Sequence, residues 1–520
     1  MRQTGHHRNP RRRHLRRVAV AAVLAGAVAG TAACAAQGAT GVSAPAPAGA
    51  RTASAGVKWI GMSGGRLVYG HDARGNRIPD YSYAGYEGGG VPLPKVRDRV
   101  NVPVPGGGDD TATVQQAIDK VSALPLDAGG FRGAVHLAAG RYRIGGTLHI
   151  GASGVVLRGS GAATVLAADR PVVRTLLTVG AQSSYTTVGT PAQVTDTYVP
   201  VGATALTVSS TAGLRVGDEV VVERPTTQAW IDAIGMHGIF TPDWSLKSER
   251  RITAISGNRI TVDVPLTTAL EKQYTRATVY RYGFPRISHT GIEDLSADGQ
   301  AMSGDPGYAK SFYNAAFWEF HAVQDSWVSN VVTRHFGGTG QTSLGPQSRR
   351  ISVVHTQVLD MLTTDSSARS EAYLLQGQEN LIQDCAVKAP KVHAFTTYGR
   401  QAGPNVFADC TATLVKDTYD AGGHQRWGSG TLYDDVRVDG TLLLVNNGTR
   451  GGGHGWSDAN STAYNCTTQG YRVQSPPTAH NWAIGCTGTL LSGSDGEVES
   501  GGSHILPASL YAEQLRERRS

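Results

Sequence analysis

Cysteine, methionine and aromatic side chains are scarce in this chain: its 520 residues hold five Cys, five Met and only 7% aromatics. So few Cys exclude a disulfide-dense scaffold, which a chain this long does not need. Long apolar runs are missing as well. Beyond residue 35 none approaches the roughly 18 residues that a membrane-spanning helix requires, so no transmembrane segment is expected. A charge excess is missing too once residues 1–35 are set aside. They contain seven Arg and no acid, so the formal +7 of the whole chain becomes 41 basic against 41 acidic residues. That balance removes the case for a nucleic-acid partner. Gly, by contrast, is abundant at 66 residues, and with so few aromatics it favours a turn-rich all-β protein over a helical one.

Residues 1–35 combine a basic segment, an apolar stretch from Val18 to about Thr31 and the small-residue site Ala33-Cys34-Ala35. This is the pattern of a secretory signal peptide cut after Ala35, and it predicts a secreted, extracellular protein. Arg12-Arg13 has poorly matching flanks for a twin-arginine signal, and Thr31 stands where a lipobox has an aliphatic residue. Residues 36–56, rich in Ala, Gly, Pro and Ser, are expected to form a disordered linker.

Residues 57–185 begin with an aromatic, Gly-rich stretch. Then Asp109, Asp110 and Thr111 precede a helix-period run that places Val114, Ile118 and Val121 on one face. An Asp or Thr N-cap predicts a helix over about 111–122. Short Gly-closed β segments follow, GAVHLAAGRYRI, TLHIGAS and GVVLRGSG. The combination of GDDTATVQQAID with VHLAAGRYRI resembles the N-terminal cap and first coils of the pectate-lyase-like right-handed parallel β-helix superfamily. The resemblance implies a solenoid plugged at one end by the helix. It implies no particular reaction, since that fold hosts lyases, hydrolases, epimerases and phage tailspikes.

Residues 186–284 break the pattern with alternating strands and tight turns, which predicts an inserted β-barrel-like domain. Trp230, His237 and Trp244 lie between its strands, either as part of a lid over a cleft or as the insert's own core. From 285 to 520 the chain repeats. Aligning GIEDL, WVSNV, ISVVH, LIQDC, VFADC, LYDDV, TAYNC and WAIGC equates Leu295, Val331, His355, Cys385, Cys410, Val436, Cys466 and Cys486, at separations of 36, 24, 30, 25, 26, 30 and 20 residues. These are rungs of a solenoid with loops of varying length, stacked about 4.8 Å apart. All four later Cys then share one interior ladder, which favours free buried thiols, although bridges between neighbouring rungs remain open.

The chemistry concentrates in residues 420–486. His424 with Trp427, His454 with Trp456, and His480 with Trp482 recur in Gly- or Pro-rich loops, and their residue types suit a sugar cleft, where an imidazole moves protons and an indole stacks on a pyranose. KVHAFTTYGR adds His393, Tyr398 and Arg400. Loops at equivalent rungs stand side by side, so His393, Arg400, His424, Arg426 and His454 are predicted to line one groove. The C-terminal half, with GPNVFADC, GGHQRWGSGTLYDDV, GHGW and SLYAEQLRER, is similar to a group of secreted microbial pectate-lyase-like proteins over about residues 100–515. That resemblance implies an extracellular carbohydrate-active β-helix.

A lyase needs a cation for the uronate carboxylate, a base for the C5 proton and an acid for the leaving oxygen. Arg426 or Arg400 can supply the first, His424 or His454 the second, and Tyr398 or the other His the third. Trp427, Trp456, His393, His480, Trp482, Asp420 and Asp458 are candidate substrate contacts. The competing readings are a glycoside hydrolase using acids such as Asp420 or Asp458, and a non-catalytic carbohydrate-binding or adhesion solenoid. Asp434-Asp435 followed by Gly453-His454-Gly455 imitates polygalacturonase motifs, but the Asp pair sits inside a strand register and a structural role is expected. No cofactor is predicted. No metal-ligand spacing is present, although calcium held by acids from different coils would leave no mark in the sequence. The expected partner is an extracellular polysaccharide, and the expected state is a monomer.

Overall fold

The computed structural model describes residues 58–305, 315–337, 339–362, 370–389, 392–413 and 420–520, with backbone only at 339–342. The signal-peptide and linker expectations fall outside these residues. Strands pair in parallel from rung to rung along three faces. On the first face Leu381–Gln383 pairs with residues 406–408 of Gln401–Ala408, and these pair with residues 432–434 of Gly428–Asp434. That strand then leads to Thr462–Tyr464 and Trp482–Ile484. On the second, Gln357–Leu359, Ala386–Lys388 and Thr411–Thr413 stack in turn. The third stacks Ser370–Leu375, Val392–Tyr398 and Asp420–Gln425. This is a right-handed parallel β-helix, the coil hand that right-twisted strands favour.

Side chains at the corner between the first two faces explain why the chain can repeat with such different loop lengths. Asp294, Asn330, His355, Asp384, Asp409, Asp435 and Asn465 all hold φ between 49° and 56°. Asp, Asn and His tolerate that left-handed conformation better than other non-Gly residues. Each is followed by an inward residue, and here one rung of the expected alignment shifts. His355 pairs with the Asp384 level, so Thr356 is the true equivalent of Cys385, and its hydroxyl lies 3.2 Å from the Cys385 Sγ. Side chains also brace the entry to the first face: Asn380 accepts from Ile351 N at 3.0 Å, Asn405 from Asn380 N at 3.0 Å, and Asn481 from Ser461 N at 2.9 Å.

Cys385, Cys410, Cys466 and Cys486 are all free and buried in the interior. We therefore expect these four thiols to react with a disulfide reagent only after the protein is unfolded, and reductant to leave the melting temperature unchanged. Thiol titration with and without denaturant, alongside thermal unfolding with and without reductant, checks both.

The helix Thr111–Ser122 plugs the first coils, with Val114, Ile118 and Val121 fully buried against Val102, Leu137 and Leu148. Asp110 occupies the N-cap position, but its carboxylate accepts from Arg143 N at 2.9 Å, and Asp109 meets Thr111 N at 3.0 Å. At the other end Asp434 is fully buried and accepts from Ser509 Oγ at 2.6 Å, Leu510 N at 3.1 Å and Tyr511 N at 2.8 Å. It anchors the start of the C-terminal helix Leu510–Arg519, a structural role for the Asp pair.

Between Thr186 and Gly283 six antiparallel strands form a separate sheet, and a bridge between Val194 and Val208 joins its edges. Val220, Val222, Ile252, Ile260 and Val279 fill it. A buried ionic network ties this insert to the coils. Glu249, fully buried, receives Arg286 Nη1 at 2.6 Å and Nη2 at 2.5 Å, while Arg349 reaches Glu379 at 3.1 Å and Glu219 at 3.0 Å. Among the described residues no helix is long and apolar enough to cross a membrane.

Candidate active site

The third face carries the candidate site because of two glycines and a bulge. Thr397 pairs with Gly423 and Tyr398 with Gln425, so His424 is the extra residue between them. A bulged residue leaves the ladder, and its side chain is re-aimed. Gly422 makes this local path feasible: its φ is 128°, and a Cβ there would lie 2.1 Å from the Leu443 carbonyl oxygen. His424 keeps 14% of its side chain exposed, with Nδ1 3.3 Å from Oε1 of Glu371, which is itself 2% exposed. His393 pairs in register with Glu371 on the neighbouring rung, and its Nδ1 is hydrogen-bonded to Asp420 Oδ1.

These imidazoles and one phenol form a contiguous group. The His424 ring centroid is 5.0 Å from that of His393, 4.6 Å from that of His454 and 5.3 Å from that of Tyr398. The hydrogen bond to Asp420 fixes the orientation of the His393 ring, and Glu371 stands within ion-pair distance of the His424 ring. At the adjoining corner Arg400 and Arg426 stand on successive rungs, with φ of 61° and 56° and a 2.6 Å bond from Arg400 N to Arg426 O. The next rung continues this ladder, Arg426 N donating to His454 O at 2.8 Å. The structure thus brings His393, Tyr398, Arg400, Asp420, His424, Arg426 and His454 together. Glu371 escaped the sequence reading. Aligning the third face rung by rung would have exposed it, but no motif surrounds it.

Four expected substrate contacts do not present themselves to a ligand. Trp427 is 1% and Trp456 7% exposed, both packed with Trp230, Met236 and Phe240 of the insert, and Trp456 Nε1 donates to Ile234 O at 3.0 Å. Stacking on a sugar is therefore replaced by stacking between the insert and the coils. Trp482 is fully buried on the first face against Trp59 at 5.5 Å. His480 stacks on Trp482 and bonds Asp72 at 3.0 Å, so the third His–Trp pair belongs to another side of the coil. The shared spacing misled because Trp482 lies inside the first-face strand, in register with Thr462 and Leu432, whereas Trp427 and Trp456 precede that strand.

Asp458 is a fifth correction. It is fully buried and accepts from Gly423 N at 2.9 Å and Ser457 Oγ at 3.0 Å, holding the backbone next to His424 without access to a substrate. Its Oδ1 has no hydrogen-bond partner among the described residues. Burial pushes its carboxyl up from 3.8 to about 7, against the hydrogen bonds to Ser457 and Gly423. A folded-state value above the unfolded one means that the native protein holds this proton more tightly. Its stabilising contribution is complete below about pH 4 and is lost as the pH rises through 7, at a cost of roughly 4 kcal/mol. Asp458→Asn is expected to raise the melting temperature at pH 8 and to leave it unchanged at pH 4, which thermal unfolding across that range checks.

Among the described residues no group of three or more His, Cys, Asp or Glu side chains is placed to hold a metal ion. No protein-family model matches the chain, and no curated protein is similar in sequence. Among solved structures it is similar to the tailspike of E. coli bacteriophage HK620 in complex with a pentasaccharide, at 10% identity over 78% of this chain and 65% of that one, with a TM-score of 0.39. It is also similar to the tailspike gp49 of Pseudomonas phage LKA1, at 15% identity over 76% and 70%, TM-score 0.36. The A-module of the Azotobacter vinelandii mannuronan C-5 epimerase AlgE6 matches at 12% identity over 76% and 95%, TM-score 0.30. The likeness is one of fold, which the rung-to-rung pairing of this chain establishes by itself.

Proposed function

We propose that this protein is a secreted polysaccharide-active enzyme that removes the C5 proton of a uronic acid and cleaves the chain by β-elimination. The observation that carries the reading is the contact of the His424 and His454 rings beside an arginine pair, with Glu371 behind His424. Two imidazolium charges in contact repel, so one shared proton makes one ring a base and the other an acid.

His424, oriented by Glu371, takes the C5 proton. The electron pair released forms the C4–C5 double bond, the C4–O bond breaks, and the departing oxygen takes a proton from His454, with Tyr398 beside the pair. Arg400 and Arg426 stabilise the charge that builds on the carboxylate. The basic and apolar N-terminal segment supports export. The hydrolase alternative is weakened by its own acids, since Asp420 is committed to His393 and Asp458 is buried.

The test incubates the protein with uronic-acid and neutral polysaccharides, following the ultraviolet absorbance of an unsaturated uronate and the reducing ends in parallel. Both rising together is the expected result. Reducing ends without the absorbance would transfer the reading to hydrolysis, and silence in both would favour the binding solenoid.

A further inference from the structure

The insert does more than cover its own core, because its loop from Ile234 to Trp244 presses on the two turns that carry Arg426 and His454. Gly455, at φ 61°, lies so close to the insert that a Cβ would stand 2.6 Å from Phe240 and 2.8 Å from the Met236 sulfur. Trp427 meets Trp230 edge to face at 4.7 Å. At the edge of this aromatic cluster Trp244 is only half-buried, and the exposed Arg400 guanidinium sits over its ring at 5.5 Å. Trp244 is itself held by its carbonyl, which accepts from Thr226 N at 3.0 Å.

Asp243, next to Trp244 in the same loop, is exposed. Its carboxyl is held below the usual range first by the Thr241 hydroxyl and further by the Arg400 and Arg426 charges. Arg426 is steered from the other side, its Nε 3.5 Å from Gly453 O. Arg400 and Arg426 thus stand on successive rungs, with the solvated Asp243 carboxylate close enough to feel both charges. A planar guanidinium stacked on an indole keeps its edge free for a carboxylate.

We propose that Trp244 of the insert is a positioning residue that holds Arg400 beside Arg426 as a clamp for the carboxylates of an acidic polysaccharide. The insert is then a fixed wall of the cleft that sets selectivity for charged over neutral sugars. This rests on the uronate reading above and assigns the selectivity to a part of the chain that carries no proton-transfer group.

The experiment measures calorimetric binding of the full chain to polygalacturonate, alginate and hyaluronan, each beside its carboxyl-reduced neutral counterpart. One of the acidic polymers should bind about tenfold or more tightly than its reduced form, the size of one charge-assisted hydrogen bond. Trp244→Ala should shrink that ratio, while Trp244→Phe, which keeps an aromatic face, should largely restore it. A merely structural role would weaken binding to both polymers alike. A Trp244→Ala variant that keeps the full ratio overturns the clamp and leaves the elimination reading standing. A wild-type protein that prefers no acidic polymer over its reduced form overturns the clamp together with the uronate reading. A preserved and Trp244-dependent preference without any unsaturated product keeps the clamp and removes only the elimination chemistry.

Discussion

His424→Gln is expected to lower turnover about 10²- to 10⁴-fold, the range a positioned proton-transfer group contributes, while leaving the melting temperature unchanged. Gln is the informative replacement because its amide can still donate to Glu371, whose carboxylate is almost fully buried 3.3 Å from the His424 ring. It therefore removes the proton acceptor without stranding a buried charge. The backbone of the turn keeps its anchor as well, since Asn447 Nδ2 donates to the His424 carbonyl at 2.9 Å whatever the side chain is. His454→Ala is expected to cause a loss of the same order, because it removes the ring that shares the proton. Initial rates on the polymer identified above, together with thermal unfolding, check both variants. Full activity in both would mean that the chemistry lies elsewhere on the coil.

Glu249→Gln is expected to destabilise the protein by about 3–5 kcal/mol, the cost of breaking a buried ion pair from one side. Burial by itself would push the Glu249 carboxyl up, but the two hydrogen bonds from Arg286 and the nearby Arg349 charge pull it down to about 2. Its folded-state value thus lies below the ordinary 4.5, so its stabilisation is present above that value and is lost as the pH falls through 2. Arg286 is the side chain left exposed to the loss, since Arg349 also has Glu379 at 3.1 Å and Glu219 at 3.0 Å. Adding Arg286→Met to Glu249→Gln should cost less than Glu249→Gln alone, because no uncompensated guanidinium stays buried and the Gln oxygen still accepts from the donors Tyr185, Tyr282 and Gln378 around it. Thermal and denaturant unfolding of the three proteins separates these outcomes. A small effect of the single change would mean that water reaches the insert–coil junction.

Much of the coil is legible in the sequence, and the corner residues show why. Asp294, Asn330, Asp384, Asp409, Asp435 and Asn465 mark the left-handed corner with residue types that accept it, each directly before an apolar or Cys residue that points inward. The one slip, at His355, comes from the same rule, because His also tolerates that conformation and takes the place of the inward Thr356. The helix at Thr111–Ser122 is legible from its 3.6-residue period. In the site, Gly422-Gly423-His424 and the Gly-rich turn before His454 point to their histidines through the close backbone approaches only Gly permits.

What the sequence determined by itself is whatever depends on neighbours along the chain: the coil, its corner, its cap, and which histidines and arginines occupy adjacent turns. Only the tertiary structure decided that Glu371 backs His424, that Trp427 and Trp456 serve the insert, that Trp482 and His480 face away, and that Trp244 reaches Arg400. Those contacts join residues dozens to hundreds of positions apart. The loops between rungs differ in length, and the stacking of strands about 4.8 Å apart fixes height along the coil but not which loop packs against which.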